Sequence, residues 1–155
     1  EYVDHVMRYV GITFRGGTNP NFNNLKAWVT RNPYAQAGLY GQCTWFAWGR
    51  FYELYDYDPG FSGDGSSCVK ELIAAHPDKF ERSSSPKAGA VFSAIGHNHV
   101  GIVIAVNNNT ITVQEGNLDG ITNTFQDAKK DWQTKSYTLD QLRSIYGGVV
   151  FANPK

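Results

Sequence analysis

The spacing of apolar residues changes once along this chain, at Ser83-Ser84-Ser85-Pro86. Ahead of that point apolar side chains recur at helical intervals; behind it they alternate as in strands. A parallel sheet built from βαβ units needs the two periods to interleave. Helices first and strands afterwards instead predict an α+β domain, with N-terminal helices packed on an antiparallel β-sheet. The 155 residues suit one domain, so residues 1–155 are read as a single unit.

In the helical half, Tyr2, Val6, Tyr9 and Val10 share one face until Gly16-Gly17, and Leu25, Trp28 and Val29 form a second short segment before Pro33. Residues 1–35 are thus expected to be a helical extension. The best helix runs from Thr44 to about Tyr55, where Trp45, Trp48, Tyr52 and Tyr55 recur at helical spacing; Asp58-Pro59-Gly60 closes it. Another runs from Val69 to Ala75, with Ser66 or Ser67 as its cap. In the second half, Ala90–Phe92, Val100–Val106, Thr110–Glu115 and Val149–Ala152 are expected strands, with a further one near Ile121–Phe125. Thr138–Ile145 is expected to be a short helix.

Composition narrows the function. Lys plus Arg and Asp plus Glu both number 14, so nothing in the charge favours nucleic acid or an acidic membrane. No run of residues reaches the length of a membrane span. The chain begins at Glu1 rather than Met, so a processed form or an excised module is expected. Two cysteines, Cys43 and Cys68, are too few for a disulfide framework, and neither lies in a zinc-type spacing.

A thiolate is the reactive form of cysteine, and a helix N-terminus stabilises it. Cys43 stands where the strong helix begins, behind Gly41 and Gln42, whose side-chain amide can donate to an oxyanion. On this fact alone an ordinary buried cysteine remains the alternative. Cys68 also precedes a helix but lacks the glycine and the glutamine, and is read as buried and inert. Among the four histidines, His5 and His76 occupy helical positions typical of surface or capping groups, whereas His97 and His99 sit at the mouth of the Val100–Val106 strand.

Register separates the last two. If Asn107-Asn108-Asn109 is a three-residue turn, Val106 pairs with Thr110, Gly101 faces Glu115, and His99 faces Asn117. These side chains would then share a sheet face with Val103, Ala105, Ile111 and Val113, the face expected to receive the Cys43 helix. Glu115 or Asn117 would orient the imidazole of His99. A two-residue turn would place Glu115 on the opposite face from His99.

Three segments resemble the CHAP domain, the cysteine, histidine-dependent amidohydrolase/peptidase family: Gly41-Gln42-Cys43-Thr44-Trp45-Phe46-Ala47-Trp48; Gly89–Phe92 with Gly96-His97-Asn98-His99-Val100-Gly101-Ile102-Val103; and Ile111-Thr112-Val113-Gln114-Glu115-Gly116-Asn117. They span a motif-bearing core of about residues 38–117. The resemblance implies a papain-like α+β fold and hydrolysis of a peptidoglycan amide bond, either the N-acetylmuramoyl-L-alanine amide or a stem or cross-bridge peptide bond. It implies Cys43 as nucleophile, His99 as base, Glu115 as orienter with Asn117 as auxiliary, and Gln42 in the oxyanion site. The Val-Gly-Ile-Val run after His99 favours it over His97. Some phage members carry calcium-binding aspartates before the cysteine; residues 35–42 contain no acidic group, so no metal is expected, and no organic cofactor is implied. The implied partner is bacterial peptidoglycan, the implied setting secreted, cell-wall associated or phage-borne, and the implied form a monomeric catalytic module of a larger protein. Two other readings are a non-catalytic wall-binding module and a cysteine peptidase acting on proteins.

Overall fold

The structure is a computed structural model and describes residues 19–155. The expected helix at Tyr2–Val10, with His5, lies outside the described residues. A single π-helical turn, Lys26–Thr30, takes the place of the second amphipathic segment. The one-turn helix α1 (Pro33–Gln36) follows; Pro33 presets its backbone and Asn32 Oδ1 accepts from the Tyr34 and Ala35 N–H groups. Helix α2 spans Cys43–Tyr55 and ends on Asp56 in the left-handed conformation. Helix α3 spans Cys68–Ala75. Neither Ser66 nor Ser67 caps it as expected: the Ser67 hydroxyl bonds Asp64 O and Glu71 Oε2 instead.

Then come β1 (Phe80–Ser83), β2 (Val91–Ala94), β3 (Val100–Asn107), β4 (Thr110–Gly116), α4 (Phe125–Ala128), β5 (Trp132–Thr138), α5 (Leu139–Tyr146) and β6 (Val149–Pro154). The six strands form one antiparallel sheet in the order β1-β6-β2-β3-β4-β5. The strand expected near Ile121–Phe125 is not one: residues 121–124 are irregular, and Thr124 caps α4. The sequence reading missed β1 and β5. Both are sheet edges whose side chains are mostly half-buried or exposed, so they lack the alternation that marks a strand.

The sheet is covered on both sides. Helices α2 and α3 pack on the face carrying Val100, Ile102 and Ile104, in a core with Trp28, Trp45, Phe46 and Phe51. Phe92, Val103, Ile111, Val113 and Phe151 point to the other face, where Leu142 of α5 and Tyr137 join them. This corrects the expected placement of the Cys43 helix on the Val103 face. Strand β3 is buried on both faces from Val100 to Ala105, so its alternation carries no sign of which side faces which helix. Truncating a fully buried ring such as Phe46 would cost about 3–5 kcal/mol. A buried polar tie fixes α2 to the sheet: Arg50 Nε donates to Gln114 Oε1 at 2.7 Å and Nη1 to Glu53 Oε1 at 3.2 Å. Gln114 therefore faces α2, and its neighbour Glu115 faces the opposite way.

The β3–β4 turn is also corrected. Asn107 pairs with Thr110, so the loop has two residues, Asn108 in the left-handed conformation and Asn109. A bulge at Ile104 then absorbs one residue, and Val103 pairs with Val113 and Ile102 with Gln114. Past the bulge the ladder runs in the register that brings Gly101 opposite Glu115.

Candidate active site

Cys43 is the first residue of α2, and Gln42 enters the helix in an extended conformation without a side-chain cap. The first N–H groups of a helix have no partner within it, so the thiol sits where the backbone carries partial positive charge. Gly41 has φ +84, and a Cβ there would lie 2.7 Å from Asn123 Nδ2, so the turn into the helix requires glycine. Cys43 is 7% exposed and lines a cleft of about 340 Å³. Tyr34, Gln42, Asp64, Gly65, Asn98 and Asn117 contribute to its walls.

His99 lies one residue ahead of β3, on the side of the sheet away from α2. Its Nε2 is 2.8 Å from Glu115 Oε1. An ionised carboxylate accepts, so Nε2 carries the proton and Nδ1 is left for the Cys43 thiol. Burial alone would lower the imidazole pKa. Hydrogen bonds and charge interactions with Cys43 and Glu115 outweigh it and raise the value to about 9. Glu115 is 1% exposed, yet ionised: burial works against the charge, but donors from His99, Tyr146 and Tyr137 hold its pKa at about 2. The set is complete on both oxygens. Oε1 accepts from His99 and from Tyr146 Oη at 2.5 Å; Oε2 accepts from Tyr137 Oη at 2.9 Å and Gln133 Nε2 at 3.1 Å.

The other expected residues fall as follows. Asn117 does not sit opposite His99 in a ladder, because β4 ends at Gly116 and β3 begins at Val100. It adopts φ +64, leaves the strand and joins the wall of the Cys43 cleft, with a buried Oδ1 that has no hydrogen-bond partner among the described residues. Gln42 also lines the cleft, and its Nε2 donates to Thr122 Oγ1 at 3.1 Å. His97 is exposed within the 95–98 turn, not on the strand, so strand parity does not relate it to His99. His76 Nε2 lies 2.8 Å from Asp58 O, remote from the thiol in sequence and setting. Cys68 is fully buried; its Sγ donates to Asp64 O at 3.3 Å, and burial pushes the thiol pKa well up.

Sequence reasoning missed Gln133, Tyr137 and Tyr146, the three partners of Glu115 from β5 and α5. All lie beyond residue 117, outside the three segments that carry the resemblance. The available signal was Tyr146 followed by Gly147-Gly148, a helix end placed where a helix was expected.

Among solved structures, the chain resembles an N-acetylmuramoyl-L-alanine amidase from Staphylococcus aureus, at 19% identity and a TM-score of 0.51, over 74% of this chain and 31% of that one. It also resembles Ly7917, at 19% identity and a TM-score of 0.51, over 86% of this chain and 60% of that one. Ly7917 with the hydrolysing product of MDP matches at 18% identity and the same TM-score, over 86% and 61%. These likenesses establish a shared fold, and the chain spans less than two thirds of each of those proteins. No curated protein matches the sequence. The CHAP domain family model matches residues 29–117, more than half of the chain, and so this protein belongs to the CHAP domain family.

Proposed function

We propose that this chain hydrolyses an amide bond of bacterial peptidoglycan through Cys43. The observation that carries the reading is one constellation: a thiol at a helix N-terminus on an open cleft, beside an imidazole whose second nitrogen is held by a buried carboxylate. It is the arrangement of nucleophile, base and orienter that acyl transfer requires. The family match and the likeness to an N-acetylmuramoyl-L-alanine amidase support peptidoglycan as the polymer, and with it a setting outside the cell or in the wall.

In the first step the Cys43 thiolate attacks the amide carbonyl, and the C–S bond forms. The Cys43 N–H and the second N–H of the Gln42 amide donate to the oxyanion. His99 Nδ1 gives its proton to the leaving amine as the C–N bond breaks. His99 then takes a proton from water, which attacks the thioester and releases the acid. Glu115 stays ionised throughout and holds the ring in one tautomer. Asn117 contributes to the cleft wall from the left-handed end of β4.

Mass spectrometry of fragments released from purified walls tests this. The wild-type chain should release fragments, and Cys43→Ala should release none. A free lactyl carboxylate on muramic acid identifies amidase cleavage; a new amino terminus within the stem or bridge identifies an endopeptidase. Fragments released equally by Cys43→Ala, or none released by the wild type, would end the proposal.

A further inference from the structure

The family match stops at residue 117, yet the imidazole of His99 is sandwiched by a residue well beyond it. The Tyr146 ring lies on the His99 ring with centroids 4.6 Å apart and planes 12° from parallel. Phe92 leans on His99 as well, at 5.9 Å and 53°. The Tyr146 hydroxyl, meanwhile, donates to Glu115 Oε1, the same oxygen that receives His99 Nε2. One side chain thus covers a face of the base and grips the orienter.

The fold holds Tyr146 firmly in that place. Helix α5 starts at a capping box formed by Thr138 and Gln141, and Leu142 anchors it in the core. Tyr146 is its last residue, because Gly147 turns left-handed at φ +67. The backbone there is tied to the loop that carries the histidine. Gly96 N donates to Tyr146 O at 3.1 Å and Ile95 N to Gly148 O at 2.8 Å. A Cβ on Gly96 would lie 2.9 Å from Gly147 Cα, so the two segments touch without side chains between them.

We propose that Tyr146 is a positioning residue for the His99–Glu115 pair, fixing the plane of the imidazole by stacking and shielding its bond to Glu115 from water. The proposal rests on the reading of Cys43 and His99 as the reacting couple. A ring free to turn about its bond to Glu115 would spend time with Nδ1 directed away from the sulfur. Water admitted to that bond would screen the carboxylate charge and weaken the imidazolium. The stack itself favours the cationic ring, whose face lies on the electron-rich face of a phenol. The Tyr146 hydroxyl is engaged by Glu115 and its ring by His99, so it acts on the reaction through that pair.

Among the described residues, few polar groups surround the base. Cys43 faces His99 from α2, Glu115 from β4 and Tyr146 from α5, with Tyr137 and Gln133 of β5 behind the carboxylate. The His97 ring reaches only the edge of Tyr146, at 6.4 Å. Exposing the pair to water should therefore move His99 from about 9 back towards its ordinary 6.5.

The test compares Tyr146→Phe and Tyr146→Leu in the full chain by kcat and KM on soluble wall fragments. In parallel, the rate of Cys43 alkylation by iodoacetate, an anion that the His99 imidazolium attracts, is followed across pH. Tyr146→Phe keeps the stack and loses the hydroxyl; kcat should fall roughly 3–10-fold with KM within about twofold. Tyr146→Leu loses both; kcat should fall roughly 30–300-fold, again with little change in KM, and the alkaline limb of alkylation should move to lower pH. An unchanged kcat in Tyr146→Phe, or a folded Tyr146→Leu whose alkylation limb stays where the wild type has it, overturns the proposal. Alkylation needs no substrate. A wild type inert on walls would defeat the assigned function, while the movement of the limb would still decide the role of Tyr146.

Discussion

Glu115→Gln is the substitution whose consequences the structure fixes most closely. The carboxylate holds two donors on each oxygen, and an amide has one accepting oxygen to offer them. With that oxygen kept towards His99 and Tyr146, the NH₂ group faces Tyr137 Oη and Gln133 Nε2. The phenol can turn to accept and Gln133 can rotate its amide, so the fold should survive at a cost of about 1–3 kcal/mol. The catalytic effect is separate. The charge of Glu115 and its hydrogen bond are among the influences that raise His99 to about 9, against a burial effect that lowers it. Without the charge the value drops towards 6.5.

The sign follows from the base being cationic below its pKa. At pH 7 the wild-type imidazole is held mostly protonated, and in the variant much less so. Fewer molecules then hold the thiolate–imidazolium couple, and the proton for the leaving amine is less often in place. Release of wall fragments at pH 7 should fall roughly 10–100-fold, less than for loss of the imidazole itself. The alkaline limb of the rate should move from near pH 9 towards neutrality. Fragment release measured between about pH 5 and 10 decides it. A variant whose alkaline limb stays near pH 9 would show that the carboxylate does not hold the imidazolium, and the orienter role would go.

Other outcomes follow from the same site. His99→Ala should cost roughly 10²–10⁴-fold in fragment release, while His97→Ala, in an exposed turn, should change it less than about threefold; the reverse order would move the base to His97. A limiting dose of a charged thiol alkylator should label Cys43 well before Cys68, which burial keeps protonated; peptide mapping that finds Cys68 first would remove the nucleophile. Gly101→Ala should lower thermal stability by about 1–3 kcal/mol, since its Cβ would lie 2.4 Å from Phe92 Cε2 and 3.1 Å from Gln114 O; an unchanged melting midpoint would deny the close packing of β2, β3 and β4. Wall-degrading activity should survive exhaustive chelation, because no acidic residue lies in 35–42; calcium-dependent recovery after EDTA would contradict it.

What the sequence made legible was whatever repeats at a fixed interval. Helix α2, with Trp45, Trp48 and Tyr52 one turn apart, was placed to within one residue, and so was the N-terminus that bears Cys43. Four inner strands were found for the same reason. Edges were not: Trp132–Thr138 presents Gln133, Lys135 and Ser136 to solvent or half-burial, and no period stands out. That omission had a chemical cost. Gln133 and Tyr137 reach Glu115 from this strand and Tyr146 from the helix after it, so the partners that keep a buried carboxylate ionised went unseen. Their positions depend on which strand lies beside β4, and no local pattern encodes that.

The β3–β4 hairpin shows how a pairing can be reached through a wrong turn. Three asparagines in a row fit a three-residue loop, and that loop sets Glu115 on the His99 side. The chain uses two of them: Asn108 takes the left-handed conformation at φ 56, and Asn107 joins the ladder opposite Thr110. Continued without interruption, that register would turn Glu115 towards α2 and Gln114 away from Arg50. A buried charge would then face the Ile102 core, and Arg50 would lose its 2.7 Å partner. One residue taken up at Ile104 reverses both outcomes. The bulge costs a rung of the ladder in the middle of β3, where the strand is buried on both faces and every rung is dry. It is compensated at the two ends of the pairing, by a tight Asn turn at one and by the His99–Glu115 bond at the other. Deleting Ile104 should accordingly remove the bulge and keep both the turn and the site register, because Ala105 opposite Thr112 and Val103 opposite Val113 then continue one regular ladder. The variant should still form the hairpin, as hydrogen exchange at Thr110 and Ile111 would report, and fragment release should stay within roughly tenfold of the wild type. A fall to the level of His99→Ala would mean that the pairing on the two sides of Ile104 does not by itself set the register across the site.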